Sequence, residues 1–263
     1  HLLGRRQRQM CIRDSYCCYS LFFERRRNPL LLIMLAICIF LVLKLKAYIF
    51  LSLIPALFFW VYLNLRKAIA NQLVKWTLTP IIIIGALWLG FVVINTIGNE
   101  VEKYKAENLE NLAKGFHSWH SSQGESAYSL GDIEFTPTGI ASKIPASLNV
   151  TYFRPFLWET HSPVIFLSAL ESLAFLTFTL YVILNISISR FLKYIYSNPE
   201  VGFCFVYAFI FGFAVGFTSF NFGALVRYKI PCMPFYLAML FIMLYNYRQE
   251  IGSMMTQSQR LSS

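Results

Sequence analysis

Two short segments of an otherwise apolar chain carry the side chains best suited to chemistry. One runs from Tyr152 to Glu159 (YFRPFLWE) and the other from Asn221 to Pro231 (NFGALVRYKIP). Arg154 and Arg227 offer planar, permanently charged guanidinium groups that suit a phosphate or pyrophosphate, and Lys229 adds a third positive charge. If the segments meet in the fold, they predict a binding site for an anionic substrate.

Two carboxylates near these segments are candidate catalytic groups. Glu159 ends the first segment, close to water, and is a candidate general base. Glu171 follows Pro163 by eight residues, about 12 Å along a helix, where an unpaired carboxylate is costly in lipid. Arg154 or Arg227 would neutralise it in a structural ion pair, and the alternative is an acid or base in a cavity.

Aromatic and polar neighbours complete the predicted site. Trp158 and Tyr228 place amphipathic rings at the depth of the lipid headgroups. The alternative is that the aromatic and basic residues are ordinary interfacial anchors. The predicted substrate-binding residues are Arg154, Arg227, Lys229, Trp158, Asn221 and Tyr228, and the predicted catalytic residues are Glu159 and Glu171.

The sequence predicts neither a metal site nor a cofactor site. His117 and His120 are three residues apart on a predicted helix, but no Cys or carboxylate completes a metal-ligand set at a recognisable spacing. A wetted helix face is the favoured interpretation of this pair. The sequence also has no glycine-rich phosphate loop and no Ser-His-Asp set, so the mechanisms of soluble enzymes are not indicated.

The composition indicates that the elements positioning these residues lie in a membrane. Hydrophobic residues form 57% of the chain and charged residues only 14%, a balance that water-soluble domains do not reach. The net charge of +10 is concentrated near the ends of apolar runs, which is typical of membrane topology rather than of nucleic-acid binding. The predicted fold is an all-α, polytopic transmembrane bundle in contact with the lipid bilayer, without a nucleic-acid partner.

The apolar runs predict about six spans. The 36 residues from Leu30 to Leu65 would extend about 54 Å as one helix, beyond a hydrocarbon core of about 30 Å, so a turn is predicted at Lys44-Leu45-Lys46. Gly212 and Gly216 form a small-xxx-small step that predicts close helix packing. The predicted spans are Pro29–Leu43, Ala47–Leu65, Trp76–Ile97, Pro163–Leu184, Val201–Phe220 and Ile230–Tyr247.

Basic residues predict the orientation. Arg66, Lys67, Arg190, Lys193 and Arg248 fall on one side of the six spans, and the positive-inside rule then places both observed ends in the cytoplasm. The segment 98–162 then lies outside, with an amphipathic helix over 99–120 and a second short helix that starts at Thr136-Pro137 and ends before Asn149. The segment 248–263 is a cytoplasmic tail.

The first residues are expected to be foreign to the fold. The run from Arg5 to Ser15 (RRQRQMCIRDS) resembles a translated sequencing-adapter read-through, and the composition changes after Tyr16. We expect residues 1–15 to be a non-native scar, and the alternative is a basic cytoplasmic tail.

The motifs FRPFLWE, Glu171, NFG and VRY with Pro231 resemble a pattern in bacterial integral membrane proteins of surface-polysaccharide assembly. That group includes O-antigen polymerases and lipid-linked-sugar glycosyltransferases. The resemblance implies an enzyme that polymerises or transfers lipid-pyrophosphate-linked glycan at the outer face, with Arg154 and Arg227 on the pyrophosphate. The alternatives are a translocator or accessory subunit for a lipid-linked anionic substrate, and a structural membrane partner without a ligand.

Overall fold

The computed structural model describes residues 29–69, 128, 130, 136–219 and 221–262, and within them it is all-helical. The helices are α1 (Pro29–Ala68), α2 (Pro137–Ser142), α3 (Ile144–Phe153), α4 (Pro163–Asn185), α5 (Ile188–Ser197), α6 (Pro199–Ser219), α7 (Phe222–Tyr228) and α8 (Met233–Ser262). A 3₁₀ turn over Leu157–Glu159 joins α3 to α4. The all-α prediction is therefore confirmed for the described ranges.

Several helices are long and apolar enough to cross a membrane. Within the described residues they are Ile49–Ala68 of α1, all of α4 and all of α6. Helices α7 and α8 together form a fourth candidate, a span broken by a bend of 62°. A multi-pass membrane protein is thus supported, while the count of six is not confirmed and the span predicted over Trp76–Ile97 lies outside the described residues.

The predicted turn at Lys44-Leu45-Lys46 is wrong, because α1 continues through it as a single helix of 40 residues. Neither Gly nor Pro occurs between residues 30 and 54, and Lys is a good helix former, so no local signal stops the helix there. The predicted spans Pro29–Leu43 and Ala47–Leu65 are therefore parts of one helix. Length alone was a poor reason to break it.

Helix α6 forms the centre of the bundle, with α1, α3, α5, α7 and α8 packed around it. Tyr207 and Phe211 on α6 are fully buried. On the side that faces α3, Gly212 and Gly216 leave no room for a methyl group, since a Cβ on Gly212 would lie 2.7 Å from the ring of Tyr152. The predicted packing role of these glycines is confirmed.

Helix α3 lies along α6 instead of outside the bundle. Ser147 approaches Gly216, Thr151 donates a 2.6 Å hydrogen bond to the carbonyl of Gly212, and the Tyr152 hydroxyl donates to the carbonyl of Ala208 at 2.7 Å. Ala208 is nine residues from the start of α6, so α3 reaches the middle of that candidate span. The chain then turns back towards α4, so α3 extends only part of the way along α6.

The helical segment after Thr136 was predicted in part. Thr136 caps α2 through a 3.0 Å hydrogen bond from the Gly139 amide, as its position before a proline indicates. The predicted end before Asn149 is wrong, because α3 continues to Phe153. The amphipathic helix predicted over 99–120 lies outside the described residues.

The bundle has two ends. At the first, here called the basic end, the guanidinium of Arg190 lies 5.4 Å from the Tyr247 ring centroid and Lys193 pairs with Glu250 at 3.4 Å. Leu63 of α1 also reaches the start of α6 there. The other end, here called the Arg154 end, contains the start of α4 and the turn between α7 and α8.

We expect the substitution Thr151→Val to weaken the attachment of α3 to α6. It removes the hydrogen bond to Gly212 while preserving side-chain shape, and such bonds between membrane helices contribute about 0.6 kcal/mol on average and about 1.7 at most. Thermal denaturation in detergent measures the change. Thr177→Val is the matched control, because exposed Thr177 bonds only to carbonyls of its own helix.

Candidate functional site

Arg154 and Glu159 form an ion pair at the Arg154 end. Arg154 Nε donates to Glu159 Oε2 at 3.1 Å, and Arg154 Nη2 pairs with Glu159 Oε1. The amide of Phe156 donates to the same Oε2 at 2.8 Å. The 3₁₀ turn folds Glu159 back onto the residue that ends α3, and both carboxylate oxygens are engaged. This geometry favours a positioning role for Glu159 over the predicted role of general base.

The Arg154 guanidinium is also surrounded by aromatic rings. Its Cζ lies 5.3 Å from the ring centroid of Tyr128, 5.1 Å from that of Phe222 and 6.0 Å from that of Phe156. A guanidinium at such distances is attracted by the negative faces of the rings. Arg154 is thereby held in place on several sides, with 19% of its side chain exposed.

Lys229 is the most unusual residue at this end, because it is a lysine with only 1% of its surface exposed. It lies in the bend between α7 and α8. Its Nζ donates to Ser172 Oγ at 2.9 Å and to the carbonyl of Arg154 at 3.4 Å. An ammonium has three donors, and among the described residues the third has no partner. A buried cation that is held by neutral groups is costly, and in membrane proteins such groups mark functional sites.

Ser172 connects the Lys229 ammonium to the backbone of Arg154. Its hydroxyl donates to the Arg154 carbonyl at 3.1 Å and accepts from Lys229, so one serine joins α3, α4 and the bend before α8. Ser168 lies one turn earlier on the same buried face of α4, and its hydroxyl has no hydrogen-bond partner within the described part of the chain. The face of α4 that reaches Lys229 is therefore polar over two turns.

Glu171 lies beside this cluster but faces away from it. It is exposed on α4, whereas the next residue, Ser172, is buried. The predicted pairing of Glu171 with Arg154 is wrong, because Arg154 pairs with Glu159. Successive helical residues differ by about 100° in direction, so only Ser172 can point at Arg154.

The other predicted residues surround the cluster without joining it. Arg227 is exposed and donates from Nε to the carbonyl of Gly223 at 2.9 Å, so Arg154 and Arg227 occupy different environments. Asn221 caps α7 by accepting hydrogen bonds from the amides of Gly223 and Ala224. Trp158 is 78% exposed and stacks on Phe156, as an interfacial anchor does, and Tyr228 is 37% exposed.

Sequence reasoning missed Ser172 and the aromatic surroundings of Arg154. Ser168 and Ser172 at spacing i, i+4 within an apolar run were the available signal, since a hydroxyl pair on one face of a span indicates a polar contact. Tyr128 carried no signal, because it lies between the two helices predicted for segment 98–162. The pair His117 and His120 is outside the described residues, within which no group of three metal-ligating side chains occurs.

The arrangement can bind an anionic group and stabilise negative charge as it develops. Lys229 supplies a desolvated positive charge whose third donor is unused among the described residues, Arg154 supplies a second cation that Glu159 holds in place, and Glu171 is an exposed carboxylate on α4. No protein-family model, curated protein or solved structure matches the chain. The functional argument therefore depends on the residues themselves.

Proposed function

We propose that this protein polymerises or transfers lipid-pyrophosphate-linked glycan at the outer face of a bacterial inner membrane. The observation that carries the proposal is the buried ammonium of Lys229, which bonds to the backbone carbonyl of Arg154, the residue whose side chain pairs with Glu159. A pyrophosphate is the natural ligand of two cations that are shielded from water, since each phosphate offers several acceptor oxygens. The resemblance to proteins of surface-polysaccharide assembly points to the same substrate.

The orientation in this proposal follows from the charges of the basic end. Exposed Arg66 and Lys67 at the end of α1, with Arg190, Lys193 and Arg248, would face the cytoplasm under the positive-inside rule. The Arg154 end would then face the outside, where surface glycans are assembled. The proposal retains the predicted span over Trp76–Ile97.

The proposed reaction needs no metal. A hydroxyl of the acceptor glycan attacks the anomeric carbon of the donor, a new glycosidic C–O bond forms, and the C–O bond to the lipid pyrophosphate breaks. The pyrophosphate leaves with the bonding electrons, and Lys229 and Arg154 stabilise its added charge. The hydroxyl proton passes to water at the outer face, while Glu159 holds Arg154 in position.

The polymer ladder of surface glycan tests this function. We expect gene deletion, and the double substitution Arg154→Ala with Glu159→Ala, to collapse the ladder to single repeat units. The double substitution removes the pair together, so neither charge is left unpaired. Lys67→Ala, which removes an exposed cation at the opposite end, should leave the ladder intact. A normal ladder in the deletion strain would refute the proposal.

A translocator of the same lipid-linked substrate is the second candidate function. The bend of 62° between α7 and α8 supports it, because transporters often build their sites at broken helices. The two functions predict different defects. Loss of a polymerase leaves single repeat units at the cell surface, whereas loss of a translocator leaves them facing the cytoplasm, where an impermeant glycan-oxidising reagent cannot reach them.

A further inference from the structure

A second feature lies beyond the polar cluster, an apolar cleft of about 310 Å³ between α3, α4, α5, α6 and α8. This volume is in the range of ligand pockets in proteins, about 300–1,000 Å³. The cleft opens towards lipid, since Leu180 and Ile183 on α4 and Phe209 on α6 line it while they remain 37–49% exposed. Tyr152 and Phe153, the last residues of α3, form another wall of the cleft.

Among the described residues, the hydroxyls in the wall of the cleft are already hydrogen-bonded within the protein. The hydroxyls of Thr179 and Tyr236 bond to each other at 2.7 Å, and Thr179 also donates to the carbonyl of Phe175. The Tyr152 hydroxyl donates to the carbonyl of Ala208. Each hydroxyl that lines the cleft therefore has its partner within the protein. A sugar or a phosphate would be unsatisfied there, whereas a hydrocarbon chain would not.

The cleft continues directly from the cation cluster. Ser172, which holds Lys229, shares one stripe of α4 with the cleft-lining residues Leu176, Thr179 and Ile183, at spacings of four, seven and eleven residues. Eleven residues correspond to about 16 Å along the helix. On the other wall, Arg154 immediately follows Tyr152 and Phe153. A ligand with its anionic group at Lys229 would thus extend its apolar part into the cleft.

We propose that this cleft binds the polyprenyl chain of the lipid-linked substrate while its phosphate groups lie at Lys229 and Arg154. This inference rests on the proposed function and names the part of the substrate that anchors it. The cleft ends about 30 Å from the start of α4, close to the full thickness of a hydrocarbon core of about 30 Å. From Ser172 to Ile183 the cleft covers about 16 Å of that depth, which holds the isoprene units next to the phosphates, and the rest of the chain leaves through the lipid-facing side.

Photocrosslinking of the full chain in lipid nanodiscs tests the proposal. The probe is a long-chain polyprenyl phosphate with a diazirine in its isoprenoid part, and the comparison probe is a phosphatidylglycerol with a diazirine on its acyl chain. We expect the polyprenyl probe to label residues 176–183 and 205–209. Leu180→Trp, which fills the mouth of the cleft, should reduce that labelling at least fivefold, and Leu184→Trp, one turn further and outside the cleft, should preserve it.

The outcomes separate this inference from the proposed function. Equal labelling by both probes, or labelling that Leu180→Trp does not reduce, would overturn the assignment of the cleft to a polyprenyl chain. If specific labelling persists but deletion of the gene leaves the glycan ladder unchanged, the cleft is correct and the proposed function is wrong. If deletion of the gene collapses the ladder but the cleft is not labelled, the proposed function is supported and the assignment of the cleft is wrong.

Discussion

Replacing Lys229 by Met is expected to abolish the polymer ladder while the protein keeps or gains thermal stability. Met has nearly the length of the Lys side chain without its charge, so the bend between α7 and α8 stays filled. Substituting a buried ion by an apolar group of similar volume is often neutral or stabilising. When a residue that serves function at the expense of stability is replaced, activity falls while stability is kept or rises.

The opposite pattern would identify Lys229 as a structural residue. If its bonds to Ser172 and to the Arg154 carbonyl only tie helices together, their loss lowers stability by about 1–3 kcal/mol, because hydrogen bonds from a charged group contribute about that much. If Lys229 instead acts on the substrate, Lys229→Met should lower activity by about 10²–10³-fold, which is typical when one donor to a developing negative charge is removed.

Two assays on one variant decide between these interpretations. Ladder length in a complemented deletion strain reports activity, and thermal denaturation of the purified protein in detergent reports stability. Lys193→Met is the matched control, because Lys193 forms an exposed pair with Glu250 at the basic end and should affect neither measurement. A destabilised Lys229→Met protein that still yields a full ladder would remove Lys229 from the proposed site.

Local signals in the sequence predicted local structure well. The pair Thr136-Pro137 marked a helix start, and the structure begins α2 there with Thr136 as its cap. Gly212 and Gly216 marked a close helix approach, which α3 makes. In each case the physical cause lies within a few residues of the chain: a cap and a fixed φ angle in the first, and the absence of side chains along one helix face in the second.

Features that depend on distant partners were not predictable. Helix α3 contains Ser147, Asn149 and Thr151, so its composition indicated a segment outside the membrane. It can enter the bundle because Thr151 and Tyr152 bond to carbonyls of α6, 56 to 61 residues further along the chain. Lys229 likewise finds Ser172 across 57 residues. The side chains that form these contacts can be identified in the sequence, but their partners in distant helices cannot.

The pairing of Arg154 shows how a correct list of residues can still give a wrong geometry. The sequence placed Arg154, Glu159 and Glu171 in one region and offered Arg154 or Arg227 as the partner of Glu171, because an unpaired carboxylate at that depth is costly. The closer carboxylate is the partner, since the 3₁₀ turn over Leu157–Glu159 returns Glu159 to the end of α3. Glu171 avoids burial by facing outward.

The second large effect is expected from Gly216→Ala, which should destabilise the protein by about 1–3 kcal/mol, the usual range for overpacking a filled interior. The added methyl group would collide with the Ser147 carbonyl and lie 2.6 Å from Thr151 Oγ1. The carbonyl belongs to the backbone of α3, so no side-chain rotation relieves the collision. The whole helix must move away from α6, and Arg154 at its end must move with it.

Gly252→Ala provides the same chemical change without the collision, because no atom lies within 4 Å of its added methyl group. There the higher helix propensity of Ala should stabilise α8 by up to about 1 kcal/mol. Thermal denaturation in detergent should therefore shift in opposite directions for the two variants. A Gly216→Ala protein as stable as the Gly252→Ala protein would mean that α3 does not lie against α6. Arg154 and Lys229 would then lose the support that brings them together.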